Sequence, residues 1–196
     1  MRIVSGEWRA RRIAEPRGRE VTRPTTDRVR EACASMVMSA CDEGIEGARV
    51  LDAFGGSGAM GIEMLSRGAA WATFFDIDRQ AASLIGKNLE SLGCARSRYR
   101  VVCGDVVAAA QRGRVPGGPF DVVLLDPPYA MEACEVQALV ENLQGAGLLH
   151  PGAVVLYEHA ASAPGIAPAG FTVLKEKRYG ITAVDVLRGE GDDSHE

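Results

Sequence analysis

From residue 48 onward the chain alternates short apolar runs with amphipathic stretches, and it closes on two strands with no helix between them. Strands are predicted at 48–53, 71–77, 99–103, 120–125 and 153–158, and helices at 59–66, 79–92, 106–111 and 135–143. Strands joined through helices run parallel, because a parallel pair needs a long crossover connection. Residues 171–178 and 182–187 are joined too tightly for a crossover and must pair antiparallel. The expected fold is therefore α/β: a doubly wound, mainly parallel sheet with an antiparallel C-terminal hairpin. Residues 120–125 are almost wholly apolar, as a strand covered on both faces must be. Ligands of such sheets bind at the carboxyl ends of the strands, so the chemistry should lie there.

The first strand runs through Asp52 into Gly55-Gly56-Ser57-Gly58-Ala59-Met60-Gly61. Gly56, Gly58 and Gly61 match G-x-G-x-x-G, a turn that lets backbone approach a ligand closely. The match fits NAD as well as S-adenosylmethionine. Asp52 separates them: its carboxylate would repel a pyrophosphate but would welcome the methionine ammonium of S-adenosylmethionine. Asp76 ends the second strand, 20 residues after Gly56, the spacing of an acid that accepts ribose hydroxyls. Asp78 could share that task, but it is better placed to cap the next helix. Asp105, after the third strand, suits either the adenine amino group or an N-cap.

The fourth strand ends in Asp126-Pro127-Pro128-Tyr129, the most specific element of the chain. The amine of a nucleic-acid base is a weak nucleophile, because its lone pair is delocalised into the ring. Acceptors that hold its two N–H bonds aim that lone pair. Asp126 and the Pro127 carbonyl can serve, with proline fixing the backbone, and Tyr129 can stack on an extruded base. The motif thus points to amino-methylation from S-adenosylmethionine, an in-line displacement needing positioning and electrostatics and no metal. Cytosine-carbon methylation would need a cysteine nucleophile, for which Cys134 is the nearest candidate. The alternatives are DNA amino-methylation at adenine or cytosine, a dinucleotide-dependent oxidoreductase, and a non-catalytic RNA-binding relative.

The net charge of −4 conceals an asymmetry. Residues 1–30 hold nine arginines against four acids, and the acidic excess lies in the remainder. Such an arm either binds a polyanion or is simply a solvated terminus. Short strands or turns are expected up to residue 24, then a helix capped by Thr25 or Thr26. Val29, Ala32, Cys33, Met36, Val37 and Ala40 form its buried stripe, which leaves Arg28 and Arg30 facing solvent or substrate. The five cysteines include no Cys-x-x-Cys pair, which argues against zinc and for reduced thiols in a cytoplasmic protein. No apolar run suits a membrane helix, and no secretion signal opens the chain. Lys175, Lys177, Arg178 and Tyr179 form a basic–aromatic cluster that either touches RNA or is a solvated strand edge.

The chain resembles the bacterial 16S ribosomal RNA guanine-N2 methyltransferases of the RsmD type. The likeness is carried by Met1–Arg9, Arg23-Pro24-Thr25-Thr26-Asp27-Arg28-Val29-Arg30-Glu31, residues 51–61, the Asp126–Tyr129 loop and residues 175–180. Gly55 and Asp76 stand where the family often has Ala and Glu. The resemblance implies a class I methyltransferase fold of seven strands with a small basic N-terminal extension. It implies S-adenosylmethionine as cofactor, held by Asp52, Gly56, Gly58, Asp76 and Asp105. It implies methylation of a guanine amine of 16S ribosomal RNA within small-subunit particles, with Asp126, Pro127 and Tyr129 catalytic. Arg9, Arg11, Arg12, Arg23, Arg28 and Arg30 would then contact RNA. The expected division is an RNA-binding arm and helix at 1–46, a methyltransferase domain at 47–188 and an acidic, disordered tail at 189–196.

Overall fold

A computed structural model describes residues 1–16 and 27–191. The elements follow in the order α1 (Asp27–Ala40), β1 (Arg49–Asp52), α2 (Ala59–Ser66), β2 (Trp71–Asp76), α3 (Arg79–Leu92), β3 (Tyr99–Cys103), α4 (Val106–Gln111), β4 (Phe120–Leu125), α5 (Ala133–Gly145), β5 (Leu149–Ala160), β6 (Phe171–Tyr179) and β7 (Thr182–Gly189), with one 3-10 turn at Arg96–Arg98. The seven strands form one sheet in the order β3-β2-β1-β4-β5-β7-β6. The first five are parallel, and β7 inserts antiparallel between β5 and the edge strand β6. The expected fold class is thus the one observed. Glu132 and Glu135 form a capping box that starts α5 two residues before the expected position. The strand β5 begins at Leu149, so His150 and Pro151 lie in a strand instead of a loop. Gly189 closes β7 instead of opening the tail. Residues 192–196, Arg23 and the expected cap at Thr25 or Thr26 lie outside the described residues.

Alternation along the strands divides the core. Val50, Phe74, Val122, Leu124, Val154, Leu156, Val184 and Val186 pack on the face covered by α1, α2 and α3. Leu51, Phe75, Val123, Leu125, Val155, Tyr157 and Leu187 pack on the face covered by α4 and α5. The N-terminal segment belongs to the first of these layers, through Ile3, Trp8 and Ile13. It folds back on itself through an antiparallel bridge between Arg2 and Arg12.

One buried carboxylate ties this segment to the body. Glu63 of α2 is fully buried and accepts hydrogen bonds from the Val4 and Ser5 amides at 2.8 and 3.0 Å. It pairs with Arg67 at 2.8 Å and approaches Arg30 of α1 at 4.0 Å. Arg30 also pairs with Asp27 and donates to the Arg2 carbonyl. The expectation that Arg30 faces solvent or substrate is therefore incorrect. Only 1% of the residue is exposed, because its charge is needed inside, opposite Glu63. Arg28 is exposed, as expected. The buried face of α1 gains Arg30 and Ala34, while Val29 and Ala32 are only partly covered.

Removing one partner of a buried ion network leaves the others uncompensated, at a cost of about 3–5 kcal/mol. Glu63→Ala should lose stability of this order in urea unfolding, whereas a loss below about 1 kcal/mol would show that Glu63 does not anchor the arm.

Candidate active site

The crevice at the carboxyl ends of the strands begins with the glycine turn. Gly56 and Gly58 have φ of +56° and +79°, left-handed values that favour glycine. Nothing lies within 4 Å of where a Cβ on Gly56 would stand, so the turn is open on its ligand side. Gly61 is closed instead, since a Cβ there would come within 2.3 Å of the Phe74 ring. Its glycine therefore serves the packing of α2 on β2. The turn is held from behind by Asn88 of α3, a residue that sequence reasoning did not single out. Asn88 donates to the Ser57 carbonyl at 2.9 Å and to the Ala14 carbonyl at 3.1 Å, and accepts from the Ala14 amide at 2.8 Å. One side chain thus links the turn to the N-terminal segment.

The register turns a set of acids to one face. Asp52 pairs with Leu124 across β1 and β4, and Leu124 with Leu156 across β4 and β5. Two residues on, in the same alternation, stand Asp126 and Glu158, with Asp76 ending β2. All lie on the side of the sheet covered by α1, α2 and α3. Asp76 accepts from the Gly56 amide and the Asp78 amide, each at 2.8 Å. Asp78 caps α3 by accepting from the Gln80 amide, the role expected for it. Asp105 caps α4 through the Val107 and Ala108 amides, at 2.8 and 3.2 Å. Ile77, 76% exposed just beyond Asp76, adds an apolar surface that no sequence motif marks.

Asp52 is buried and accepts from the Gly61 amide at 3.1 Å. Burial, with added repulsion from Asp126 and Asp76, pushes its carboxyl up to about 7. Glu158, half-buried at the end of β5, is pushed up to about 8 by burial and by the charge of Asp126. Glu158 carries no sequence motif, although it ends a predicted strand and so falls under the same rule that ligands bind at the carboxyl ends of strands. The buried Cys33 thiol of α1 lies near the same acids and is raised to about 12 by burial, then by Glu158 and Asp126. It stays protonated and is no nucleophile. Cys134 is exposed in the first turn of α5.

The loop after β4 is presented outward. Asp126, Pro128 and Tyr129 are exposed, Tyr129 by 65%, and Pro127 is partly covered. A ring this open has a free face on which a planar base can stack. Of the arginines expected at RNA, Arg9, Arg12 and Arg28 are exposed and form no ion pair among the described residues. Arg11 is committed to the C-terminus of α3, donating to the Leu92 and Ser91 carbonyls at 3.0 and 2.6 Å. Among the described residues no cluster of His, Cys, Asp or Glu is placed to hold a metal ion.

Raised carboxyls make stability depend on pH. The folded protein holds these protons more tightly than the unfolded chain, so their contribution is complete below about pH 4. It is lost as pH rises through about 7 for Asp52 and about 8 for Glu158. Melting temperature should fall across this window in the ligand-free protein, and Asp52→Asn with Glu158→Gln should flatten the fall. An unchanged profile in the double variant would refute the assignment.

The comparisons with known proteins agree with this geometry. Residues 1–188 match the family model described as Conserved hypothetical protein 95. The Ribosomal RNA small subunit methyltransferase D of Haemophilus influenzae is 35% identical over 185 residues, 93% of this chain and 91% of that protein. The protein of the same name from Escherichia coli K12 is 33% identical over 97% of this chain and 90% of its own length. The solved structure of the Escherichia coli protein yhhF matches with a TM-score of 0.80 at 31% identity, covering 98% of this chain and 99% of that one. The rRNA methyltransferase aviRa of Streptomyces viridochromogenes, 17% identical with a TM-score of 0.67, shares the fold over 87% of this chain and 88% of its own. The chain belongs to the Conserved hypothetical protein 95 family, and it aligns over nearly its whole length with relatives named ribosomal RNA small subunit methyltransferase D.

Proposed function

We propose that this protein methylates the exocyclic N2 amine of a guanine in 16S ribosomal RNA, using S-adenosylmethionine, on small-subunit particles in the cytoplasm. The observation that carries the proposal is convergence. The outward Asp126–Tyr129 loop, the open glycine turn and Asp76 meet at one edge of one sheet. The names of the relatives support ribosomal RNA as the polymer.

The crevice fits such a cofactor. Gly56 leaves backbone open beside Asp76, whose carboxylate can exchange its amide donors for ribose hydroxyls, while Gly58, packed against Ile62 and Ile85, shapes the turn from within. Ile77 offers an apolar face to a purine, and Asp105 stands beyond it at the head of α4. Asp52, behind the turn, contributes negative potential for a cationic amino-acid moiety. The cofactor supplies an electrophilic methyl group on a sulfonium. Asp126 and the Pro127 carbonyl accept the two hydrogens of the amine and so direct its lone pair. Asp126 is also placed to take the proton that the amine sheds. Tyr129 stacks on the base, a contact worth about 1–3 kcal/mol.

Residues 1–46 act as the RNA-binding arm of the catalytic domain at 47–188. Within the arm, Arg9, Arg12 and Arg28 supply exposed charge, and Arg23 is proposed with them. Arg11 and Arg30 serve RNA binding indirectly, by fixing the arm and α1 in place.

Small-subunit particles from a strain lacking this gene should accept labelled methyl groups from the purified enzyme, and plain duplex DNA should not. Transfer to DNA alone would overturn the proposal. Asp126→Ala should reduce transfer by about 100-fold or more at unchanged particle affinity. Exchanging Arg9, Arg12 and Arg28 for Gln should weaken particle binding and lower its logarithmic salt dependence by up to about three. An unchanged salt slope would remove these arginines from the interface.

A further inference from the structure

The chemistry above employs Asp126 and leaves its neighbour Glu158 without a task. The pairings Leu124↔Leu156 and Leu125↔Tyr157 bring the two residues to adjacent strand ends, roughly 5 Å apart, on one face of the sheet. The acids that precede them along the sheet edge are engaged: Asp52 and Asp76 each accept a backbone amide. Glu158 is half-buried, and its side chain has no hydrogen-bond or ion-pair partner among the described residues. A partly desolvated carboxyl without a donor is costly, and the cost is relieved when a ligand brings one. Among the described residues the charged and titratable groups near it are Asp126 just after β4 and Cys33 on α1, with Tyr179 of β6 and Arg28 beyond Cys33. Among the described residues none of these groups donates a hydrogen bond to the Glu158 carboxyl.

We propose that Glu158 reads the target base, accepting the ring N1–H of guanine beside the amine held by Asp126. This rests on the reading of the crevice as a guanine-N2 site and supplies its selectivity. Two adjacent acceptors require a base edge with two adjacent donors. Guanine has that edge, because its N1–H and N2–H lie side by side. Adenine and cytosine each place an unprotonated ring nitrogen next to the amine. Its lone pair would face the Glu158 oxygens and leave both buried groups unpaired. Specificity of this kind depends on rejecting the wrong partner as much as on holding the right one. The ionised carboxylate is the accepting form, and arrival of the N–H donors favours it over the protonated one. Burial of the site beneath a stacked base would strengthen the contact further.

Glu158→Gln tests the assignment. The glutamine amide can still accept N1–H through its oxygen, and it can also donate to an unprotonated ring nitrogen. Methyl transfer should be measured at a pH above about 8, where the wild-type carboxyl is ionised. The substrates are particles carrying the mapped target guanine and particles with adenine in its place. The preference of the variant for guanine over adenine should fall by about 10-fold or more relative to wild type. Its affinity for S-adenosylhomocysteine, measured by calorimetry, should stay within about 3-fold. An unchanged preference would overturn the proposal, as would a loss of cofactor affinity in step with activity, which marks a purely structural role. Failure of the wild-type enzyme to methylate guanine in any particle would instead overturn the proposed function itself.

Discussion

Side-chain alternation along the central strands is the constraint on which this site depends. In β4, Val122 and Leu124 pack beneath α1 and α2, whereas Val123 and Leu125 pack against α5. Both sets are packed into their layers, so a one-residue slip of β4 would swap them between layers and misfit each side chain in its new surroundings. The same alternation, carried two residues past Leu124, turns Asp126 toward the crevice shared with Asp52, Asp76 and Glu158. Apolar packing deep in the sheet therefore fixes the direction of an acid at its rim. Carboxyl groups converge on the crevice as a result, and burial first, then repulsion from neighbouring acids, raises those of Asp52 and Glu158. A site of this kind suits a cationic cofactor and a substrate rich in N–H donors, and it opposes a pyrophosphate.

A second dependence runs through the N-terminal segment. Glu63 lies in the helix that starts from the glycine turn, and it holds the Val4 and Ser5 amides. Asn88 grips the turn itself together with Ala14. The arm is thus anchored to the parts of the body that shape the cofactor crevice. Arg9 and Arg12 are exposed on this held segment, and in the proposed function they would meet RNA without the entropic cost of ordering a free basic tail.

Most of the architecture could be read in the residues, because period-two and period-3.6 patterns are local and strong here. Five elements, among them α2, α3 and β4, have the bounds expected of them. The pattern and the structure differ where tertiary contacts decide. Arg30 looks like a surface residue by composition, but Glu63, 33 positions away, draws it inside. Glu158 and Asn88 carry no motif, and their roles appear only when β4 meets β5 and α3 meets the glycine turn. Asp105 left two readings open, and the structure displays the capping one, with its carboxylate on two amides of α4. The insertion of β7 between β5 and β6 was likewise beyond pattern reading. A hairpin signal says that two strands pair, and not which of them meets the sheet.

The central claim is chemical: this crevice places a methyl group on a base amine. Nucleoside mass spectrometry of small-subunit RNA, taken from particles lacking the modification and incubated with the enzyme and S-adenosylmethionine, tests it most directly. The account predicts one new N2-methylguanosine and no other methylated nucleoside. A ribose 2′-O-methyl or a ring-carbon methyl product would contradict it.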